Sequence, residues 1–472
     1  VSVKLKPYPD YKESGVAWLG RIPAHWECLP NRALFGEVNE RNHPDESMLS
    51  VTIARGVLRQ ADLLADSSKK DSSNVNKGSY KLVAPGDIAY NKMRAWQGAI
   101  GFSGFRGIVS PAYIVMRPRA AHDSRYFHHL FRTPQFAKEA ERWSYGITSD
   151  QWSLRSEHFK MIYAALPPDD EQAAIVRFLT AQEQRIAQLI RVKRRLIEVL
   201  NEQKQAIIQR AVTRGLDPAA PLKPSGIPWL GDIPAHWEAV QLRRLVSLVT
   251  SGSRGWAQYY SDSGDVFLQS GNLGRAMALN LSFIQHVRTP EGAEGARTKV
   301  KRDDVLVCIT GALTGNVVVV AVDLPAAYVN QHVALVRPKP GKVSPRFLAY
   351  ILHSGIGQAQ FKTSEYGGTK QGLGLGDVKS VFVPFPSLDE QVKIVAELDR
   401  RVAELSRPIA DALREIDLIR EYRTRLVSDV VTGKLDVRGV AVSELATESS
   451  KGALDELEMV DAEADEGEVA EG

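Results

Sequence analysis

Apolar residues along the chain follow two spacing rules, and the rules alternate twice. Val176, Leu179, Ile186, Ile190, Ile197, Leu200, Ile207 and Ala211 recur on three- and four-residue steps, with Glu183, Lys193 and Lys204 at intervening seam positions. Val395, Leu398, Val402, Leu405, Ile409, Ala412, Ile416, Ile419, Leu426 and Val430 repeat that register, interrupted by Arg423. Such spacing predicts two long helices of the coiled-coil type. Asp169 or Asp170, after Pro167-Pro168, can cap the first, and Ser387-Leu-Asp-Glu390 has the capping-box arrangement for the second. Gly215 and Gly433, each near a Lys or Arg, supply the stops. Pro408 lies inside the second pattern and is expected to kink that helix or break its ladder locally. About 43 residues at 1.5 Å each give roughly 65 Å of helix in each case.

The stretches outside these helices, roughly 28 to 165 and 239 to 384, follow the other rule. They carry short β-type runs such as Gly107-Ile-Val-Ser-Pro-Ala-Tyr-Ile-Val-Met116 and Asn316-Val-Val-Val-Val-Ala-Val322, punctuated by Gly, Pro and Asn. A mixed α/β (α+β) domain dominated by a twisted sheet is expected in each.

A tandem repeat accounts for the alternation. Lys12-Glu-Ser-Gly-Val-Ala-Trp-Leu-Gly-Arg-Ile-Pro-Ala-His-Trp-Glu27 recurs as Lys223-Pro-Ser-Gly-Ile-Pro-Trp-Leu-Gly-Asp-Ile-Pro-Ala-His-Trp-Glu238, identical at twelve of sixteen positions. Pro167-Pro-Asp-Asp-Glu-Gln-Ala-Ala-Ile-Val176 is answered by Pro386-Ser-Leu-Asp-Glu-Gln-Val-Lys-Ile-Val395. The chain is therefore an internal duplication with approximate twofold symmetry. Each copy has a lead-in, whose Trp18, Trp26, Trp229 and Trp237 are read as buried anchors, then a variable domain and a long helix. Because one helix ends before the second lead-in begins, antiparallel pairing of the helices is expected, with one variable domain near each end. The expected limits are 1–165 for the first domain, 166–216 for its helix, 217–384 for the second domain, 385–438 for the second helix, and 439–472 for an acidic, disordered tail.

Charge changes this picture in one respect. The 472 residues carry 60 Lys+Arg against 56 Asp+Glu, a net +4. Eleven of the acids lie between Ala441 and Gly472 beside a single base, Lys451, so the remaining body is +14. A cationic body suits a polyanionic partner, and the acidic end is expected to be a solvated tail, or one that competes with nucleic acid for the body. With 2 cysteines, Cys28 and Cys308, there is neither a disulfide framework nor a zinc spacing. No apolar run reaches membrane-spanning length and no signal peptide pattern opens the chain, so a cytoplasmic protein without a membrane partner is expected.

Enzyme signatures are scarce. There is no GxxxxGK[ST], strand-GxGxxG-helix, HExxH or GxSxG, and Gly372-Leu-Gly-Leu-Gly-Asp377 reads as a flexible loop. His25 and His236, at equivalent repeat positions, are expected to orient the lead-in turn by hydrogen bonds rather than bind metal, and His128-His129 to lie on a helix face. Polar, basic and aromatic residues cluster instead in loops, where they offer donors and flat surfaces to phosphates and base edges. In the first domain these are Lys92, Arg94, Trp96, Gln97, Tyr145, Thr148 and Gln151. In the second they are Ser253, Arg254, Gln269, Asn272, Tyr366, Thr369, Lys370 and Gln371, with Tyr366-Gly367 answering Tyr145-Gly146.

The WLG-IPAHW lead-in before each variable domain and the Pro-rich turn with DEQ opening each long helix together resemble the specificity subunit of type I restriction-modification systems. The resemblance covers nearly all of residues 8 to 438, including the helix ends Thr213-Arg-Gly-Leu-Asp217 and Thr432-Gly-Lys-Leu-Asp436. It implies two target-recognition domains separated by two long antiparallel coiled-coil helices, each domain reading one half of a bipartite site in double-stranded DNA. It further implies that the helices act as a ruler and dock two modification (methyltransferase) subunits, with Glu171, Gln172, Glu390 and Gln391 in that docking. The chain itself would be non-catalytic, with neither an adenine-flipping [ND]PP[YF] tetrapeptide nor a P-loop. S-adenosylmethionine would belong to the methyltransferase subunits, and ATP and Mg to restriction subunits. Two rivals are a stand-alone DNA-binding protein and a coiled-coil scaffold that never touches DNA; a fused restriction enzyme lacks its motifs.

Overall fold

The computed structural model describes residues 5–65, 77–146, 152–252, 254–274, 277–289, 292–364 and 372–440. Both long helices form, over Asp169–Arg214 and Leu388–Val431. The first is not opened by an aspartate cap: the Pro168 carbonyl accepts the Glu171 and Gln172 amides at 3.0 and 2.8 Å, and Asp169 is already helical. The second start keeps half of the expected box, with Ser387 Oγ accepting the Glu390 amide at 3.3 Å. Gly215 and Gly433 close the helices at φ 71° and 78°, the left-handed region in which glycine has no Cβ penalty. The second helix continues through Pro408. The lost N–H removes a rung of the ladder without ending the helix.

The chain divides into two compact units, residues 1–194 with 413–472, and residues 195–412, so both boundaries cut the long helices. In the first unit Glu183 pairs with Arg423 at 3.1 Å and Lys193 with Glu415, so one helix descends in number as the other rises. In the second unit Gly215 lies against Glu390, which sets the end of the first helix beside the start of the second. The pairing is antiparallel in each unit, as expected.

The first unit holds an antiparallel sheet ordered Phe35–Val38, Tyr113–Pro118, Ile88–Asn91, Ile100–Phe102. Helix α1, Ser124–Phe131, buries Tyr126, Phe127, Leu130 and Phe131. Aromatic rings fill the space between them, with Phe131 and Phe136 at 4.6 Å and Phe35 and Phe127 at 5.0 Å. The second unit repeats the sheet as Val246–Ser251, Val333–Pro338, Val305–Cys308, Val317–Val319. Helix α2, Pro345–His353, takes the place of α1. The second domain adds a four-stranded sheet containing a parallel pair, Asp265–Leu268 with Ala327–Val329.

One ion pair with a buried carboxylate stabilises the same corner of both sheets. Arg117 grips Asp87 at 2.8 and 2.9 Å, and Arg337 grips Asp304 at 2.8 and 2.7 Å. Each carboxylate also accepts a turn amide, from Ala84 at 2.8 Å and Lys301 at 2.7 Å, which supplies the extra hydrogen bonding a buried charge requires. The lead-in tryptophans are less uniform than expected. Trp26 and Trp237 are fully buried and Trp18 packs edge-on to Phe136 at 5.6 Å, but Trp229 is 47% exposed. Gly357 stands where the second copy would need that phenylalanine.

His128 and His129 lie on α1 as expected, and both are half-buried. The His128 ring is wedged against the backbones of Gly56 and Gly101. Burial, then Arg132, His129 and Arg423, holds its pKa well below the usual 6.5. For His129 burial also lowers the pKa, with Glu183 the opposing influence. A histidine kept neutral in the fold takes up its proton on unfolding, so its contribution is complete above about pH 6.5 and is lost as pH falls below it. Stability of the first unit is therefore expected to fall by up to about 1.4 kcal/mol per pH unit for His128 between pH 6.5 and 5. Denaturant unfolding of His128→Gln should show a correspondingly shallower pH dependence.

Candidate nucleic-acid interface

In the first domain the strand Ile88–Asn91 runs into a tight turn that carries Lys92 and Arg94. Asn91 Oδ1 accepts the Met93 amide and Asn91 O accepts the Arg94 amide, each at 3.0 Å, and Arg94 O accepts the Gln97 amide at 3.0 Å. Arg94 and Gln97 are exposed. Trp96 turns inward, donating its indole N–H to Met93 O at 3.0 Å and meeting Trp152 edge-on at 5.4 Å. It buttresses the loop more than it presents a face.

The structure brings this loop to the second expected segment. Leu154 N–H donates to Lys92 O at 2.8 Å, and Tyr145 and Ser153 exchange backbone hydrogen bonds. Lys92, Tyr145, Ser153 and Arg155 thus line one open concavity of about 550 Å³. Tyr145 is 60% exposed, with its ring 5.0 Å from His158. Arg155 was not singled out from the sequence, because it stands at a helix start without an obvious loop signal. Thr148 and Gln151 lie outside the described residues.

The second domain repeats the pinning bond but not the side chains. Leu373 N–H donates to Ile309 O at 2.8 Å, the counterpart of Leu154 and Lys92. The loop it holds reads Thr310-Gly-Ala-Leu-Thr314, with Thr310 hydrogen-bonded to His332 and Gln331 reaching the same ring at 3.0 Å. Sequence reasoning missed this loop, since it has no cation to mark it. Tyr366, Thr369, Lys370, Gln371 and Ser253 lie outside the described residues.

Of the other candidates, Arg254 is exposed beside Gly255, which has φ 89°. Gln269 and Asn272 are not free to read bases as expected. They close a capping box, Gln269 donates to Tyr260 Oη at 3.0 Å, and Asn272 donates to the Asn280 and Phe283 carbonyls, both at 2.9 Å. Those bonds hold out a loop whose tip, Phe283, is 84% exposed. An exposed ring on a braced loop can stack on or wedge against bases.

The residues expected to dock partners hold the domains to the helices instead. Glu171 is buried and gathers Tyr8 Oη, Trp26 Nε1 at 3.0 Å and His25 Nε2 at 2.8 Å. Burial first, and then the Glu171 carboxylate, push the Tyr8 hydroxyl pKa up. Gln172 accepts the Asp123 amide at 3.0 Å and donates to Pro167 O at 2.9 Å, and Gln391 accepts the Ser344 amide at 2.8 Å and donates to Pro386 O at 3.0 Å. Glu390 meets His236 at 3.0 Å. The lead-in and the DEQ turn are thus two halves of one joint, and the histidines orient it as expected. Glu171, Gln172 and Gln391 are buried, and Glu390 is half-buried. Among the described residues no group of three or more His, Cys, Asp or Glu could hold a metal ion, and no helix is long and apolar enough to cross a membrane.

The family model for the type I restriction modification DNA specificity domain matches residues 292–414. The MjaVIII specificity subunit of a type I restriction enzyme from Methanocaldococcus jannaschii is 24% identical over 349 residues, covering 72% of this chain and 77% of that protein. The EcoBI specificity subunit from Escherichia coli is 24% identical over 361 residues, 72% of each chain. In fold, the chain is similar to one solved in work on complex assembly and conformational transition of the type I R-M system, with TM-score 0.64 at 16% identity, over 88% of this chain and 99% of that one.

The joint yields an asymmetric expectation. Glu171→Ala strands two buried donors and is expected to cost about 2 to 3 kcal/mol. Glu390→Ala removes a partner only from the exposed His236 and is expected to cost less than about 1 kcal/mol. Chemical denaturation of the two variants would reveal the difference.

Proposed function

Because the chain belongs to the DNA specificity subunits of type I restriction-modification systems, and is a non-catalytic member of such complexes, we propose that each variable domain reads one half of an asymmetric bipartite site in double-stranded DNA. The observation that carries this is the loop pinned by an equivalent backbone hydrogen bond in both domains, Leu154 to Lys92 and Leu373 to Ile309. A common scaffold presents Lys92, Arg94 and Gln97 in one copy and Thr310 and Thr314 in the other. Cations favour phosphates and guanine, hydroxyls are less selective, and the two half-sites accordingly differ.

The long helices set the spacer and dock two methyltransferase subunits. Exposed apolar positions support docking on the helices themselves: Leu189, Val192, Leu418 and Tyr422 in the first unit, and Leu196, Val199 and Val392 in the second. S-adenosylmethionine is then held by the methyltransferase subunits, and ATP with Mg by restriction subunits. The assembly works in the cytoplasm.

Co-expression with its methyltransferase partner, followed by sequencing of methylated adenines, is expected to give a split asymmetric motif with a fixed gap. Absence of new methylation despite a stable complex would favour the scaffold. Lys92→Ala with Arg94→Ala should relax or weaken only one half-site, by roughly 1 to 3 kcal/mol per lost base contact, while Phe283→Ala should affect only the other. Removing four residues from each long helix shortens it by about 6 Å, against about 3.4 Å per base pair, so the gap should shrink by one or two base pairs with both half-sites unchanged. An altered half-site with an intact gap would refute the ruler.

A further inference from the structure

Two loops of the second domain meet at one edge of its added sheet. The parallel strands Asp265–Leu268 and Ala327–Val329 end side by side, with Leu268 opposite Val329. The chain leaves the first strand into the turn Ser270–Asn272 and the second into Asn330, Gln331 and His332. Asn330 N–H donates to Leu268 O at 3.0 Å and Asn330 Oδ1 accepts the His332 amide at 3.0 Å, which ties the two exits together. His332 is the ring bonded to Thr310 in the pinned loop. Asn316, just past that loop, donates its side-chain amide to Leu273 O at 2.9 Å. Leu313 of the loop and Leu279 both pack against the apolar cluster that contains Leu273. The turn at Ser270–Asn272 therefore abuts the loop Thr310–Thr314.

The same turn mounts the Phe283 loop. Besides the two bonds from its buried side-chain amide, Asn272 accepts the Asn280 amide on its own carbonyl at 2.9 Å, and Asn280 Oδ1 accepts the Ser282 amide at 3.0 Å. Past the tip the chain enters the strand Gln285–Val287, which pairs with Asp265–Phe267. The loop is thus fixed at both ends, yet its tip is apolar, with Leu281, Phe283 and Ile284 exposed. A phenyl ring left in water contributes no burial to the fold. A ring already held in place loses little further freedom when it meets a partner. Its neighbour is the loop presented to DNA, and apolar side chains in that position open base steps.

We propose that Phe283 enters between two adjacent base pairs of the half-site read by the second domain and unstacks that step. The inference rests on the assignment of this domain as a DNA reader and gives it a second means of selection. The hydroxyls of Thr310 and Thr314 discriminate weakly among base edges. A wedge selects instead by the cost of opening a step, which is lowest at flexible pyrimidine–purine steps, and so supplies selectivity where no side chain bonds to a base. Asn272 is then a positioning residue, which explains why its amide is spent within the chain.

The test uses the full chain assembled with its methyltransferase partner and a duplex carrying the split motif that this complex methylates. 2-Aminopurine replaces, one at a time, the adenines of the second domain's half-site and of its freely chosen flanks, the methylated adenine excepted. Saturating complex is expected to raise the fluorescence at one step at least about threefold, as the probe loses a stacking neighbour. Phe283→Ala should abolish that rise while anisotropy shows the duplex still bound, and should relax the pyrimidine–purine preference at that step of the methylated motif. Phe283→Leu, which keeps an apolar wedge, should retain the rise. No rise at any position, or a rise that survives Phe283→Ala, in a complex that still methylates a split motif would overturn the wedge and leave the reading assignment standing. Absence of any specific site would overturn both. Weaker association of the subunits without DNA in Phe283→Ala would make the ring a protein contact and would also overturn the wedge.

Discussion

Neither variable domain completes its core from its own sheet and short helices. The first is closed by Ile175, Val176, Phe178 and Leu179 from the start of one long helix and by Leu426, Val430 and Val431 from the end of the other. The second is closed by Ile208, Ala211 and Val212 and by Ile394 and Leu398. Each core thus needs both helices, so helix register and domain packing are one constraint. That is why the compact units divide inside the helices rather than at their ends. A change in helix register is felt as lost apolar burial in a core, at roughly 25 cal/mol per Å².

The repeated sequence motifs make sense as hardware for that constraint. The buried Glu171 draws Tyr8, His25 and Trp26 onto the first turn of a helix, and Gln172 and Gln391 tie the same turns to the amides preceding α1 and α2. Carboxylate and amide groups taken out of water demand partners, so these positions tolerate little change. The loops above the sheet are held by backbone bonds, which place no demand on side-chain identity. A rigid joint and a permissive reading surface therefore coexist in each copy.

Much of the architecture was legible in the residues. Three- and four-residue spacing located both helices, glycine marked their ends, and the duplication revealed that the domains share a plan. Legibility declined at the recognition surface. Lys92, Arg94, Gln97 and Tyr145 were singled out because charge and aromaticity advertise them, and the fold gathers Lys92 and Tyr145 around one concavity. Asn272 looked equally suitable, but its amide is bonded within the chain, and it supports the exposed Phe283 that no motif announced. Polar type reports what a side chain can bond, not whether the bond is already made.

The sequence by itself determined the two-copy plan, the helix registers, the recurrence of the lead-in and of DEQ, and the absence of catalytic motifs, because periodicity and repetition are properties of order along the chain. The tertiary structure decided which polar residues are consumed by the fold, that DEQ faces inward to its own domain, and that the turn bracing Phe283 abuts the pinned loop of the second domain. These are facts of proximity between residues far apart in number. A chain that folds back on itself brings Glu171 to Tyr8 and Asn316 to Leu273, and linear order carries no measure of that distance.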